Sequence, residues 1–248
     1  MPIETEAEWL ACVDPRVMAP LSPMTWRNWK RFQHLAIRWV RSVCRFATGR
    51  QREYFRAFSR SVLDGIPMPD DVPRTFPSGS PVSSSLAHHV DVCFDELFRN
   101  DYRRAAVHAA CAVALEYSGI VLRGRIDDPS RTHKKRSKKG REEATATERH
   151  TQERLHRDRT LSQFSDEFRD VAGNPFRPVA FDPAWRTESV VGLAAGIDEA
   201  GAYERLPILA DAIQEAGCED EQVLTHARGP GLHVRGCWLI DMVLGRFA

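Results

Sequence analysis

Most features that would point directly at an activity are missing from this chain. It has no HExxH or CxxC…CxxC spacing, no GxxxxGK phosphate loop and no readable helix-turn-helix, zinc finger or RNA-recognition signature. No apolar run approaches the roughly 20 residues of a membrane span. The opening "MPIETEAEWL" is acidic and lacks a basic region followed by an apolar core, so no secretory signal is expected there. The six cysteines (Cys12, Cys44, Cys93, Cys111, Cys218 and Cys237) are scattered, which reads as reduced thiols in a cytoplasmic protein. Acidic residues are absent from Pro15 to Arg52, a stretch that carries nine cations from Arg16 to Arg52. The formal net charge of +1 hides this bias, because acids such as Glu215, Glu219, Asp220 and Glu221 compensate near the other end. Strand-type alternation is also lacking; only Val179 to Phe181 could pair briefly.

What is present is helical. "TEAE", Thr5 to Glu8, has the form of a capping box before a short helix carrying Trp9, and Asp14-Pro15 ends that helix. From about Trp26 to Ala47, Phe32, Leu35, Ala36, Trp39, Val40 and Val43 recur at spacings of three and four, with arginines on the other face. Tyr54, Phe55, Phe58 and Val62 continue the pattern after Gly49. Gly65 to Ser85 is broken by Pro, Gly and Ser and reads as a loop. Helices are expected again at about 86–98 and 102–122, the second capped by Asp101. Arg123 to Arg159 has almost no apolar residues and cannot offset its ordering entropy by burial. Its first half reads as a mobile connection and its second half as the exposed start of a helix running to about Val171. Further helices are expected at about 188–200, 203–216 and 219–227, with a last one from near Val234 to Gly245. The fold class is therefore all-α: an irregular helical bundle with an N-terminal region (1–122), a basic connection (123–160) and a compact C-terminal module (161–248).

Three stretches, "EAEWLACVDPRVM", "GNPFRPVAFDPAW" and "LPILADAIQEAGC…HARGPGLHVRGCWLIDMVLG", resemble a family of planctomycete-type bacterial proteins that has no established activity. Such proteins join an N-terminal segment and a variable helical middle to this C-terminal module. The middle departs here, because relatives are usually Ala-rich where this chain has its Pro/Ser loop and basic run. The resemblance implies that residues from about Gly173 onward form a unit. It carries over no catalytic residue.

The C-terminal residues give three site readings. Cys218, His226, His233 and Cys237 are ligand types that suit zinc. If the last helix began by His233, then His233, Cys237 and Asp241 would share one stripe. Taken singly, each residue also has an ordinary explanation: Cys218 and Cys237 as core, His226 as a cation in a helix's last turn. On that basis no cofactor is expected, zinc being the alternative. Asp241 sits in "CWLIDMVLG", apolar on nearly every side, and needs a counter-ion. Arg235, Arg228 and Arg177 are the partners expected, fixing the last helix against "GNPFRP". "GNPF" and Gly229-Pro230-Gly231 read as turns.

Cations supply the third reading. Arg27, Arg31 and Arg38 on the long helix, with Lys134, Lys135, Arg136, Lys138 and Lys139, could neutralise phosphates of a nucleic acid. A charged face is more often simply solvated, or paired with the protein's own acids. The leading expectation is a non-enzymatic intracellular helical module acting through protein–protein contact. The alternatives are nucleic-acid binding and a metal-dependent enzyme using His226, His233 and Cys237. A membrane partner is not expected.

Overall fold

Helix α1 (Glu6–Ala11) begins where the Thr5 hydroxyl accepts from the Glu8 amide and the Glu8 carboxylate accepts from the Thr5 amide, the reciprocal box its sequence announces. The computed structural model describes residues 3–21, 29–44, 47–72, 92–97, 99–111 and 138–246. After α1 come α2 (Pro15–Met18), α3 (Trp29–Val43) and α4 (Gly49–Asp64), followed by helical segments α5 (92–97) and α6 (102–111). The long α7 (Lys138–Ala172) leads to α8 (Glu188–Ala200), α9 (Leu206–Glu215), α10 (Glu221–Arg228) and α11 (Trp238–Val243). There is no strand among the described residues. The chain is all-α, an irregular bundle. Most of the Pro/Ser-rich segment, residues 123–137 of the basic connection, Arg27, Lys134, Lys135 and Arg136 lie outside the described residues.

Two apolar cores organise these helices. In the first, the α3 stripe of Phe32, Leu35, Ala36, Trp39, Val40 and Val43 is buried. It packs against Phe164, Phe168 and Val171 of α7, which recur at i, i+4 and i+7 and so share one face. Their rings make the tilted and edge-on contacts aromatics prefer: Phe32–Phe168 at 5.6 Å and Trp39–Phe164 at 5.0 Å between centroids. Trp9 of α1 completes the set at 6.3 Å from Phe168. Residues 150–159 of α7 have no comparable stripe and are mostly exposed. The burial of α7 is concentrated from Thr160 onward.

The second core is built from residues 190–243. Val190, Ala194 and Ile197 of α8 meet Leu206, Leu209, Ala210 and Ile213 of α9, with Val223 and Ala227 of α10 and Leu239, Ile240 and Val243 of α11. Side-chain caps set the helix starts: Thr187 accepts from the Val190 amide, and Asp220 from those of Gln222 and Val223. α11 begins at Trp238, later than the apolar run suggests. The reason is Gly236, which takes φ +95° in a turn at Arg235–Gly236 and so cannot be helical. A Cβ there would stand 3.1 Å from the Arg31 carbonyl oxygen. That close approach seats the α10–α11 loop directly on α3.

Buried carboxylates of α7 hold it to α3 and to the C-terminal helices. Glu167 of α7 is fully buried and accepts both Nε and Nη2 of Arg38 at 2.8 Å, Nε1 of Trp39 at 2.7 Å and Nε2 of Gln163 at 3.1 Å. Three residues on, Asp170 turns toward the C-terminal helices.

Candidate metal centre

Asp170 reaches the α10–α11 loop from the last turn of α7. Its Oδ2 accepts the Val234 amide at 2.8 Å, which fixes the carboxylate plane. Its Oδ1 then lies 2.7 Å from Nδ1 of His233 and 3.3 Å from Nε2 of His226. The same Nε2 is 3.2 Å from Sγ of Cys237. Each residue of the group Asp170, His226, His233 and Cys237 offers one donor atom, and all of these lie within 4.8 Å of one another. In tetrahedral zinc sites with bonds of 2.0–2.3 Å, donors stand about 3.3–3.8 Å apart. The set could hold a metal ion.

Local structure explains each position. His226 sits in the last turn of α10, as its sequence implies, and its ring is held 4.6 Å from Trp238 and 4.8 Å from His233 between centroids. Cys237 is the N-cap residue of α11, immediately after the Gly236 turn. His233 and Cys237 are therefore brought together by an irregular loop and not by a helical stripe, and Asp241 does not join them. Cys218 is buried in the second core and is not in the group. The nitrogen Nε2 of His233 is buried without a hydrogen-bond partner.

This arrangement differs from a Cys–His–Asp catalytic set. Such a set needs the carboxylate on the imidazole nitrogen opposite the one that faces sulfur. Here sulfur and carboxylate both approach Nε2 of His226. Burial also pushes the Cys237 thiol well above its ordinary range, whereas a nucleophilic cysteine is one whose thiol is pulled down. Burial alone would push the Asp170 carboxyl up too, but hydrogen bonds from His226 and His233 outweigh it and hold the group below its usual value. A metal ion would replace the protons of those hydrogen bonds, since the four donor atoms lie within 4.8 Å of one another.

A cleft of about 430 Å³ opens beside the group. Asp170, His226 and His233 line it together with Trp9 and Trp238, and the exposed Leu10 and Leu232 stand among its walls. "GNPF" forms a turn, with Gly173 at φ +76° and Asn174 Oδ1 accepting the Phe176 amide.

Asp241 is buried as expected, but its counter-ions are others. Arg31 Nε donates to Oδ2 at 3.1 Å and Arg246 Nη1 to Oδ1 at 3.1 Å. Arg235 instead donates to the Asp198 main-chain carbonyl, Arg228 pairs with Asp211, and Arg177 lies 3.7 Å from Glu6. The cause is the seating of the α10–α11 loop on α3, which puts Arg31 under the first turn of α11. Burial raises the Asp241 carboxyl despite both arginines, so the pair fixes position more than it adds stability. Of the cations considered for nucleic acid, Arg31 and Arg38 meet internal carboxylates, and Lys138 and Lys139 open α7.

Three residues after Arg31, burial and the charge of Arg235 hold His34 down to about 4 from an ordinary 6.5. Its proton is bound by the unfolded chain before the folded one, so stability falls as pH drops through this window, by roughly 2 kcal/mol at pH ~4.5. His34→Gln is expected to remove that part of the acid sensitivity. Urea midpoints of both proteins at neutral pH and near pH ~4.5 measure it; equal losses in the two would contradict it.

Compared with family models, curated proteins and solved structures, the chain matches none. Among the described residues, no helix is long and apolar enough to cross a membrane.

Proposed function

We propose that this chain is a zinc-binding, non-enzymatic helical module whose metal fastens the C-terminal helices to α7 and presents the adjoining cleft to a protein partner. One observation carries the reading: two imidazoles, a thiol and a carboxylate from α7, α10, the following loop and the α11 N-cap converge within 4.8 Å. Nitrogen and sulfur donors select zinc over hard cations. Four protein donors close the coordination shell, the mark of a structural site. Exposed Leu10 and Leu232 at the cleft suit contact with another protein.

Elemental analysis of protein prepared without an affinity tag is expected to find one zinc per chain. Cys237→Ser and His226→Ala should each lose most of it. Zinc far below one per chain, or unchanged in both variants, overturns the reading.

A second reading has its own observation: three of the four donors line the cleft. Were Asp170 to hold His233 by their hydrogen bond instead of the ion, zinc would keep an open position. This reading expects zinc-dependent hydrolysis of an activated ester, lost in His226→Ala. Absence of metal-dependent turnover in the loaded protein removes it.

A further inference from the structure

On the opposite side of α3 from the first core, a cavity of about 420 Å³ lies among α3, the α10–α11 loop and the C-terminal end. Lys30, Arg31, Arg235 and Arg246 line it, against two carboxylates, Asp198 and Asp241. Arg246 spans both acids, at 2.7 Å from Asp198 and 3.1 Å from Asp241, and Arg31 takes the other oxygen of Asp241. Both carboxylates are thus paired with arginines. Arg235 meets Asp198 only through its main-chain oxygen, which carries no full charge. His34 also lines the cavity, and its Nδ1 is buried without a hydrogen-bond partner. Burial does most to keep that ring neutral, and Arg235 and Arg246 add to it, Asp198 opposing them.

A second cavity, of about 550 Å³, shares His34 and Arg235 with the first. Its further lining includes Ile37, Leu63 and Tyr203, with Arg41 beside them. A cationic chamber therefore adjoins a partly apolar one, and each has the size of a small-molecule site.

We infer that this pair of cavities binds a small phosphate monoester, its phosphate between Lys30 and Arg235 and its organic part across His34 toward Ile37, Leu63 and Tyr203. Guanidinium forks match phosphate oxygens with paired hydrogen bonds, and cations arriving from separate elements suit a tetrahedral dianion. The second cavity borders the candidate metal centre, because His233 and Val234 line it as well.

Calorimetric titration at low salt with inorganic phosphate and with phenyl phosphate tests it. Saturable one-to-one binding of both is expected, phenyl phosphate the tighter, because only it reaches the second cavity. Arg235→Gln and Lys30→Gln should each weaken binding by about tenfold, the worth of one charge-assisted hydrogen bond. Circular dichroism at the titration temperature and zinc content should stay unchanged, which separates a binding loss from a folding loss. No saturable binding of either probe overturns the proposal, as does binding indifferent to both substitutions. So does binding of a DNA duplex or an anionic vesicle where neither small probe binds.

Discussion

Stripping zinc with a chelator, or replacing Cys237 with Ser, is expected to destabilise the protein by about 3 kcal/mol, roughly 6–12 °C in melting temperature for a chain of this size. An ion held by the folded arrangement and not by the unfolded chain turns its binding energy into folding energy. The effect should be local. Asp170 also accepts the Val234 amide, and the aliphatic packing of both cores does not involve the four donor atoms. Hydrogen exchange should therefore quicken first in α10, α11 and the loop between them, with α3 and α4 little changed. Equal melting temperatures for loaded and stripped protein would contradict a structural ion.

Glu167→Ala is expected to cost more, about 3–5 kcal/mol. The carboxylate is fully buried and holds three side chains at once. Its removal leaves the Trp39 indole N–H facing a void and a guanidinium without its fork partner. Glu167→Gln keeps the shape and one acceptor oxygen, so it should cost less than the alanine, though its amide N–H points at a cation. Arg38→Ala should also be costly, because it strands a buried charge although Arg38 is itself half exposed. Urea unfolding of the three variants measures the order. A Glu167→Ala cost below about 1 kcal/mol, the worth of an exposed pair, would show that this network adds little.

Local chemistry made much of the fold legible. The Thr5–Glu8 box, the α8 boundaries and the α3 stripe all depend on residues within a few positions of one another. The misplaced start of α11 has a local form and a distant cause. A helix start near Val234 fails because Gly236 adopts its positive φ where the loop passes against the Arg31 backbone. Asp241 illustrates the limit more sharply. Its burial could be read from its neighbours, but its partner Arg31 is 210 residues away and belongs to another helix.

The metal centre divides in the same way. His226, His233 and Cys237 attract notice by residue type within one short stretch. Asp170 does not, being 63 residues before His233 in a segment dense with charge. A signal was there: Phe164, Phe168 and Val171 define the buried face of "FSDEFRDVA", and Glu167 lies on it, with Asp170 at its edge. A carboxylate forced onto an apolar face must meet a cation, a donor or a metal. Cys218 fails for the opposite reason: it has the right chemistry but lies in the second core, among aliphatic side chains.

Cobalt(II) substitution tests the central claim most directly, because its spectrum reports both donor identity and geometry. Protein loaded with cobalt should show the intense visible bands of a tetrahedral ion and a near-ultraviolet thiolate-to-cobalt charge-transfer band. Cys237→Ser should abolish the charge-transfer band. Weak six-coordinate absorption, or identical spectra from the two proteins, would contradict a metal centre built from Asp170, His226, His233 and Cys237.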